Sequence, residues 1–178
     1  MGAIKEINAR TIYILPNNSN IIMAAKQAAD VTSGKNVIVL ETKSIPQGLT
    51  ACINFNPEDD AETNTARMKE GIDNVRSGSV TYAIKDTSIE GREIHAGDYM
   101  GILEKDIVVT HNSKTEAAKE LIRQMCDDDS EVVTLIKGTD ASDEEMTELE
   151  AFINDNYDVD VDVQDGGQPV YAFVIGVE

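Results

Sequence analysis

Basic residues are scarce in this 178-residue sequence: 15 lysines and arginines stand against 33 aspartates and glutamates, a formal net charge of −18. A field of that sign repels nucleic acids and anionic membrane surfaces, so nucleic acid is not expected among the partners. No apolar run approaches the ~20 residues that a membrane-spanning helix needs, and no signal-like segment opens the chain. These features predict a cytoplasmic protein without a transmembrane segment.

Cysteine is equally scarce. Cys52 and Cys126 are the only two, and neither has a histidine near it in the sequence. That spacing fits neither a disulfide scaffold nor a zinc site, so free thiols in a reducing compartment are expected.

Motifs of catalysis are missing as well: the sequence has no phosphate-binding loop, no GxGxxG, no GxSxG and no HExxH. The two histidines, His95 and His111, have no partner at a spacing that would make either one a base or a metal ligand. Residues 158–162 alternate aspartate with valine, but a calcium loop would need glycine at Val163 and glutamate at Pro169. An alternating strand explains this segment better, and no catalytic or metal-binding residue is predicted in the chain.

The sequence does contain the pattern of an α/β protein. Apolar strands are predicted at 11–15 and 36–41, and each is followed by a helical pattern, at 21–29 and 49–55. Strand and helix in alternation indicate a parallel sheet built from βαβ units. A polar helix is predicted at 58–76.

The second half of the sequence contains two kinds of pattern, short strands followed by alternating helices and strands. Short strands joined by glycines predict an antiparallel β-meander, with segments at 79–85, 89–94, 98–103 and 107–110. Capping boxes at Ser113 and Ser142 then begin two helices, and strands are predicted at 131–137, 159–163 and 170–177, with a turn at 166–169. The predicted fold is therefore α/β, with two α/β lobes and an antiparallel β-meander between them. The predicted divisions are a linker at 1–10, a lobe plus meander at 11–110 and an acidic lobe at 111–178.

The acidic residues are concentrated in the last third. Residues 127–165 contain 15 acids and one base, Lys137, for a net charge of −14. Two interpretations remain open: a solvated surface that keeps the chain soluble, or a docking face for a basic partner.

Two polar loops are the candidate functional residues. They occupy 16–20 and 42–48, directly after the two predicted parallel strands, and ligands of open α/β sheets bind at that edge. The first loop also leads into a helix N-terminus, which favours an anion. Alternatively, its asparagines and serine only cap the helix and satisfy the turn. The predicted partner- or ligand-binding residues are Asn17, Asn18, Ser19, Asn20, Thr42, Ser44, Ile45 and Gln47.

Four segments carry a resemblance to a known family: 14–20 (ILPNNSN), 42–48 (TKSIPQG), 82–86 (YAIKD) and 166–171 (GGQPVY). Together they resemble the C-terminal domain of the catalytic subunit of bacterial fatty acid kinase, which is dihydroxyacetone-kinase-like, over residues 8–178. The resemblance implies a parent phosphotransferase that phosphorylates a fatty acid presented by a DegV-type acyl-binding protein, so that the acyl phosphate enters phospholipid synthesis. It also implies that ATP and magnesium bind in an N-terminal domain, whose Asp-x-Asp-x-Gly-x-Asn signature this sequence lacks.

The tail from Val132 is similar to the second lobe of DegV-type proteins. Those acyl binders have a histidine and a Gly-Pro-Gly turn that hold the carboxylate, whereas this sequence has Gln168, Pro169, Val170 and Tyr171 there. Fatty-acid binding is therefore not transferred to this chain by resemblance.

The resemblance and the residues together predict a non-catalytic recognition domain. It would dock the acyl-carrying DegV-type partner or position the other domains of the parent chain, and a homodimer is compatible with the family. The alternative is a domain that binds a small molecule, either a fatty acid or an anion. A free-standing hydrolase lacks a nucleophile–base pair in the sequence.

Overall fold

The computed structural model describes residues 2–89 and 91–178, which form two compact units, Met1–Val75 and Arg76–Glu178. The described part of the first unit contains a short parallel sheet and four helices. Its elements in chain order are α1 (Gly2–Glu6), β1 (Thr11–Ile14), a 3-10 turn (Ser19–Ile21), α2 (Ile22–Asp30), β2 (Asn36–Val39), α3 (Ile45–Ile53) and α4 (Ala61–Asn74).

The βαβ unit predicted for this part of the chain is confirmed. Strands β1 and β2 pair in parallel, with Tyr13 opposite Ile38, and α2 connects them. The side chains on one face of this pair pack against α3 and α4 around a small core of Leu40, Ala51, Met68 and Ile72. Both strands end at the same edge of the sheet, so the loops that follow them are brought to one side.

The segment predicted as a linker, 1–10, contains a helix at residues 2–6. The ammonium group of Lys35 donates to the carbonyl oxygens of Ile4 at 2.6 Å, Lys5 at 3.3 Å and Ile7 at 2.5 Å. A cation placed there satisfies the unpaired carbonyls at the C-terminal end of α1. A five-residue helix is too short to show an apolar period, so periodicity could not have revealed it.

The second unit is built on one six-stranded sheet with the order β7-β6-β3-β10-β8-β9, in which all neighbours are antiparallel except β8 and β9. Its core lies between this sheet and the helices α5 and α6, around residues such as Leu121, Leu149 and Phe173. The elements are β3 (Arg76–Tyr82), β4 (Thr87–Ile89), β5 (Arg92–Ile94), β6 (Tyr99–Leu103), β7 (Asp106–His111), α5 (Lys114–Met125), β8 (Val132–Gly138), α6 (Asp143–Asn156), β9 (Asp160–Gln168) and β10 (Tyr171–Val177).

The α/β class is confirmed, but the meander is not a separate piece between two lobes. Its strands β3, β6 and β7 form one half of the six-stranded sheet, because β3 pairs with β10 near the end of the chain. The strand predicted at 89–94 is instead the hairpin β4–β5, which turns next to Gly91 at φ 80°.

The turn predicted at 166–169 lies later than expected, because β9 continues to Gln168 with an irregularity in its pairing at the two glycines. The chain turns at Pro169 and Val170 instead, and Val170 takes an unusual φ of 75° for a β-branched residue. In the sheet, β8 lies between two strands: it pairs in parallel with β9 and antiparallel with β10. At the end of β8, Gly138 has no room for a Cβ atom, which would overlap the carbonyl oxygen of Tyr171.

Candidate functional site

The two polar loops predicted from the sequence lie against each other in the first unit. The backbone N–H of Asn17 donates to the Thr42 hydroxyl at 3.0 Å. The amide side chain of Asn17 lies directly over Gly48 in α3, where a Cβ atom would overlap it. Asn17 itself has a φ of 54°, a left-handed conformation that asparagine tolerates better than most residues. The loops 16–20 and 42–48 therefore form one connected surface.

Exposed polar groups of this surface come from the first loop. Asn18, Ser19 and Asn20 are all exposed. The Asn18 side-chain oxygen accepts from the Asn20 N–H at 2.8 Å and caps the 3-10 turn. Capping thus uses one oxygen of Asn18, and it leaves the Ser19 and Asn20 side chains facing solvent.

The second predicted loop, 42–48, ends at Ser44, because α3 begins at Ile45 and not at Leu49 as predicted, and most polar groups of this segment are used within the fold. Thr42 is fully buried and Gln47 is 8% exposed. The Gln47 side chain accepts from the Lys43 N–H at 2.7 Å and donates to the Ile72 carbonyl at 3.4 Å. Ser44 caps α3 by accepting from the Gln47 N–H at 3.3 Å. Thr42, Ser44 and Gln47 therefore fix the loop, and Ile45, at 40% exposure, is the predicted residue of this loop that reaches solvent.

One polar atom at the junction of the loops has no partner. The side-chain oxygen of Asn17 is buried, and no hydrogen-bond donor within residues 2–89 and 91–178 reaches it. Buried polar atoms are paired in the great majority of cases, so this unpaired acceptor is an exception in the first unit.

An apolar stripe on α3 adjoins the loops, and the sequence reasoning missed it. Ile45, Leu49 and Ile53 follow at intervals of four residues and therefore lie on one side of the helix. Their exposures are 40%, 40% and 81%. The residues of α3 are apolar on nearly every side, so periodicity could not show which side faces the core. We call the exposed set the loop–helix surface: Asn18, Ser19, Asn20, Ile45, Leu49 and Ile53.

The charge around this surface differs from that of the rest of the molecule. Residues 11–57 contain only two acids, Asp30 and Glu41, against three lysines, whereas residues 76–178 carry a net charge of −16. Lys26 pairs with Glu41 at 2.6 Å, and this hydrogen bond lowers the pKa of Glu41. The loop–helix surface is therefore nearly neutral in a strongly acidic protein.

Groups that could perform chemistry are dispersed. Burial raises the pKa of the half-buried Cys126 thiol to about 11, so this thiol stays protonated at neutral pH and is a poor nucleophile. The His111 ring nitrogen Nδ1 accepts from the Ser113 N–H at 2.9 Å and serves the turn before α5. Within the described part of the chain, no three histidine, cysteine or acidic side chains cluster as metal ligands would.

The two cavities described next lie away from the loops. One of about 550 Å³ lies between the beginning of β2 and α4 and is lined in part by Ile38, Ala61 and Ala66. Another of about 320 Å³ lies between α6 and β9, beside Lys137 and Val163. Neither borders the loop 16–20.

The fold is that of the α/β domains found in DegV-type proteins and in dihydroxyacetone kinase. A DegV family protein from Thermus thermophilus, described as fatty acid binding, matches with a TM-score of 0.65 at 12% identity over 99% of this chain and 73% of its own. A Thermotoga maritima protein described as having fatty acid binding function gives a TM-score of 0.69 at 13% identity, over 99% and 71%. The dihydroxyacetone kinase of C. freundii gives 0.63 at 10% identity, over 99% and 40%.

Sequence comparison identifies the family, among proteins of this fold, to which the chain belongs. The family model of FakA-like C-terminal domains, which are the C-terminal domains of fatty acid kinase-like proteins, matches residues 1–178, and the chain belongs to that family. Protein YloV of Bacillus subtilis (strain 168) is 46% identical over the whole chain, and an uncharacterized protein of Staphylococcus aureus (strain MRSA252) is 40% identical over 98% of it. The chain spans 32% of the length of each of these relatives. Among the described residues, no helix is both long enough and apolar enough to cross a membrane.

Proposed function

We propose that this domain is a non-catalytic recognition module of a fatty acid kinase, and that it docks a DegV-type protein carrying the acyl substrate. The observation that carries the proposal is the loop–helix surface, in which exposed amides and an exposed apolar stripe lie on a rigid support. The family suggests that the parent protein is a kinase. The hydrogen bond from the Asn17 N–H to the Thr42 hydroxyl joins the two segments that carry the surface. The parent chain would bind ATP and magnesium in another domain, in the cytoplasm.

The composition of the surface fits protein recognition. Specific interfaces combine an apolar centre with a polar rim, and their centres are depleted in charged residues. The stripe Ile45, Leu49 and Ile53 has that apolar character, and Ser19 and Asn20 offer uncommitted hydrogen-bonding groups beside it. Because Thr42 and Gln47 hold the loop in place, little conformational entropy would be lost on binding.

A second candidate is the binding of a small molecule, either a fatty acid or an anion. The fold similarity to proteins described as fatty acid binding favours it. The unpaired Asn17 oxygen gives this candidate no support, because the atom is buried and, as an acceptor, would not bind a carboxylate.

Titration calorimetry of the domain against a DegV-type protein, with and without bound oleate, tests the docking proposal. We expect saturable binding with a Kd on the order of micromolar. Because the loop–helix surface is nearly neutral, salt should change this affinity little. A steep loss with salt would instead assign docking to the acidic residues of the second unit. No heat with the protein, together with saturable binding of free oleate, would favour the small-molecule function.

A charge placed on the surface makes the test specific. Ile45→Asp puts a carboxylate at the first position of α3, where the helix dipole favours it, so the fold should keep its stability. Docking should weaken at least about tenfold, because the carboxylate must lose its water in an apolar contact. The matched control is Ile84→Asp in the second unit, where the isoleucine is 82% exposed. Equal losses for both variants would contradict the assignment of the surface.

A further inference from the structure

The outer edge of β1 is unpaired in the part of the chain that the structure describes. The N–H of Asn36 donates to the Arg10 carbonyl at 2.8 Å, and the N–H of Leu40 donates to the Ile14 carbonyl at 3.0 Å. In a parallel pair, alternate residues bond to the same neighbour, so Arg10 and Ile14 face β2. The N–H and C=O groups of Thr11 and Tyr13 therefore point away from β2, toward a position that no described strand occupies.

A sheet of two parallel strands is incomplete by the usual physics of such sheets. Parallel sheets occur with both faces covered and usually contain several strands, since two strands alone are marginally stable. Both faces are buried here, because Leu40 is fully buried on one face and Ile12 is 7% exposed on the other. The two strands are thus covered on both faces, as the strands of a larger parallel sheet are.

The short helix α1 precedes β1 in the chain. A strand that preceded α1 and paired in parallel with β1 would form a βαβ crossover, and such crossovers are right-handed. Lys35 holds the C-terminal end of α1 beside the beginning of β2, so α1 is docked on this sheet. The relatives are about three times as long as this chain, so a longer polypeptide has the residues to supply that strand.

We propose that the outer edge of β1 pairs with a further parallel strand, supplied by the polypeptide that precedes α1 in a longer parent chain. The inference rests on the proposed function only in placing the domain within such a chain. Since both faces of the sheet are buried, the added strand is a short, nearly continuous apolar run of about four or five residues. It pairs through the N–H and C=O groups of Thr11 and Tyr13.

The added strand would complete the candidate site. Its carboxyl end lies at the same edge as that of β1, beside the loop 16–20, where ligands of open α/β sheets bind. The loop–helix surface is therefore two walls of a site, and the third wall belongs to the preceding polypeptide.

Amide hydrogen exchange tests this proposal in the 178-residue chain and in the full-length parent protein. The Tyr13 amide points outward, whereas the Ile14 amide faces β2 and serves as the internal reference. We expect the Tyr13 amide to exchange about 100-fold more slowly, relative to Ile14, in the parent than in the 178-residue chain. An unchanged ratio would overturn the proposal.

A proline provides a second test that does not depend on partner binding. Thr11→Pro removes an outward N–H at the first residue of β1, a position where a free edge tolerates proline. The control, Thr11→Val, keeps the N–H. The parent protein should melt several degrees lower with proline than with valine, and the 178-residue chain should show no such difference. An equal difference in both chains would refute the added strand and leave the docking proposal untouched.

Discussion

The Asn17 amide occupies the space that a Cβ atom at position 48 would take. Alanine in a helix interior is normally favoured over glycine by ~0.5–1 kcal/mol. In Gly48→Ala, however, the new methyl group must displace the Asn17 amide. We expect the free energy of unfolding to fall by about 1–2 kcal/mol instead of rising, as measured by urea denaturation.

The double variant Asn17→Gly/Gly48→Ala separates this contact from other causes. Glycine accepts the φ of 54° at position 17 and removes the colliding amide, so it should restore the stability that Gly48→Ala loses. The two substitutions should therefore be strongly non-additive. Simple additivity would show that the amide does not lie over Gly48.

At the scale of elements, a bidentate salt bridge joins the beginning of β3 to the turn after α5. The Arg76 guanidinium donates to both carboxylate oxygens of Asp127, at 2.5 and 3.0 Å, and to the Ser130 hydroxyl at 2.9 Å. The hydrogen bonds from Arg76 and Ser130 lower the pKa of Asp127 from its ordinary value of 3.8 to about 2. The ionised form is thus favoured by folding, so its contribution is complete above about pH 4 and is lost as the pH falls toward 2.

Asp127→Asn should therefore lower the melting temperature at neutral pH by up to about 3 °C, because the pair is exposed to solvent. Below about pH 4 the gap between variant and native protein should close. Asp128→Asn, at the exposed neighbouring position, is the control, because it removes the same charge without removing the hydrogen bonds between Arg76 and Asp127. Thermal unfolding followed by circular dichroism between pH 2 and 7 measures it, and a gap that widened in acid would contradict the assigned pKa.

Elements with local signals could be predicted, and their pairing could not. Ser142 begins α6 with a complete capping box, and at Ser113 the cap of α5 forms as well. One of the two partners of β3 is β10, whose paired residues lie 90 to 101 positions later, and no local pattern encodes such a pairing. Polar residues raised a similar difficulty at the site: the sequence indicated that loop 42–48 was polar, but only the fold shows that Gln47 uses its amide on its own backbone neighbours.

At the scale of the whole molecule, the two units differ in the size of their hydrophobic cores. Among the described residues, the main core of the second unit contains 16 buried side chains, all from within Arg76–Glu178, whereas the core of the first contains four. Residues 76–178 expressed alone should therefore unfold cooperatively in urea. Residues 1–75 alone should unfold at a lower urea concentration, because a two-stranded sheet buries less apolar surface. A 1–75 fragment as stable as 76–178 would contradict this expectation and also weaken the case for a missing strand.

Gly138 limits how the sequence of this domain can drift. A Cβ atom there would meet backbone atoms of Tyr171 and Gln168, which cannot rotate away as a side chain can. Every mutational step from glycine at this position is therefore penalised. In a saturation library of the domain, position 138 should be recovered almost entirely as glycine, and a lineage that lost it would need a compensating insertion in the turn at Pro169 and Val170.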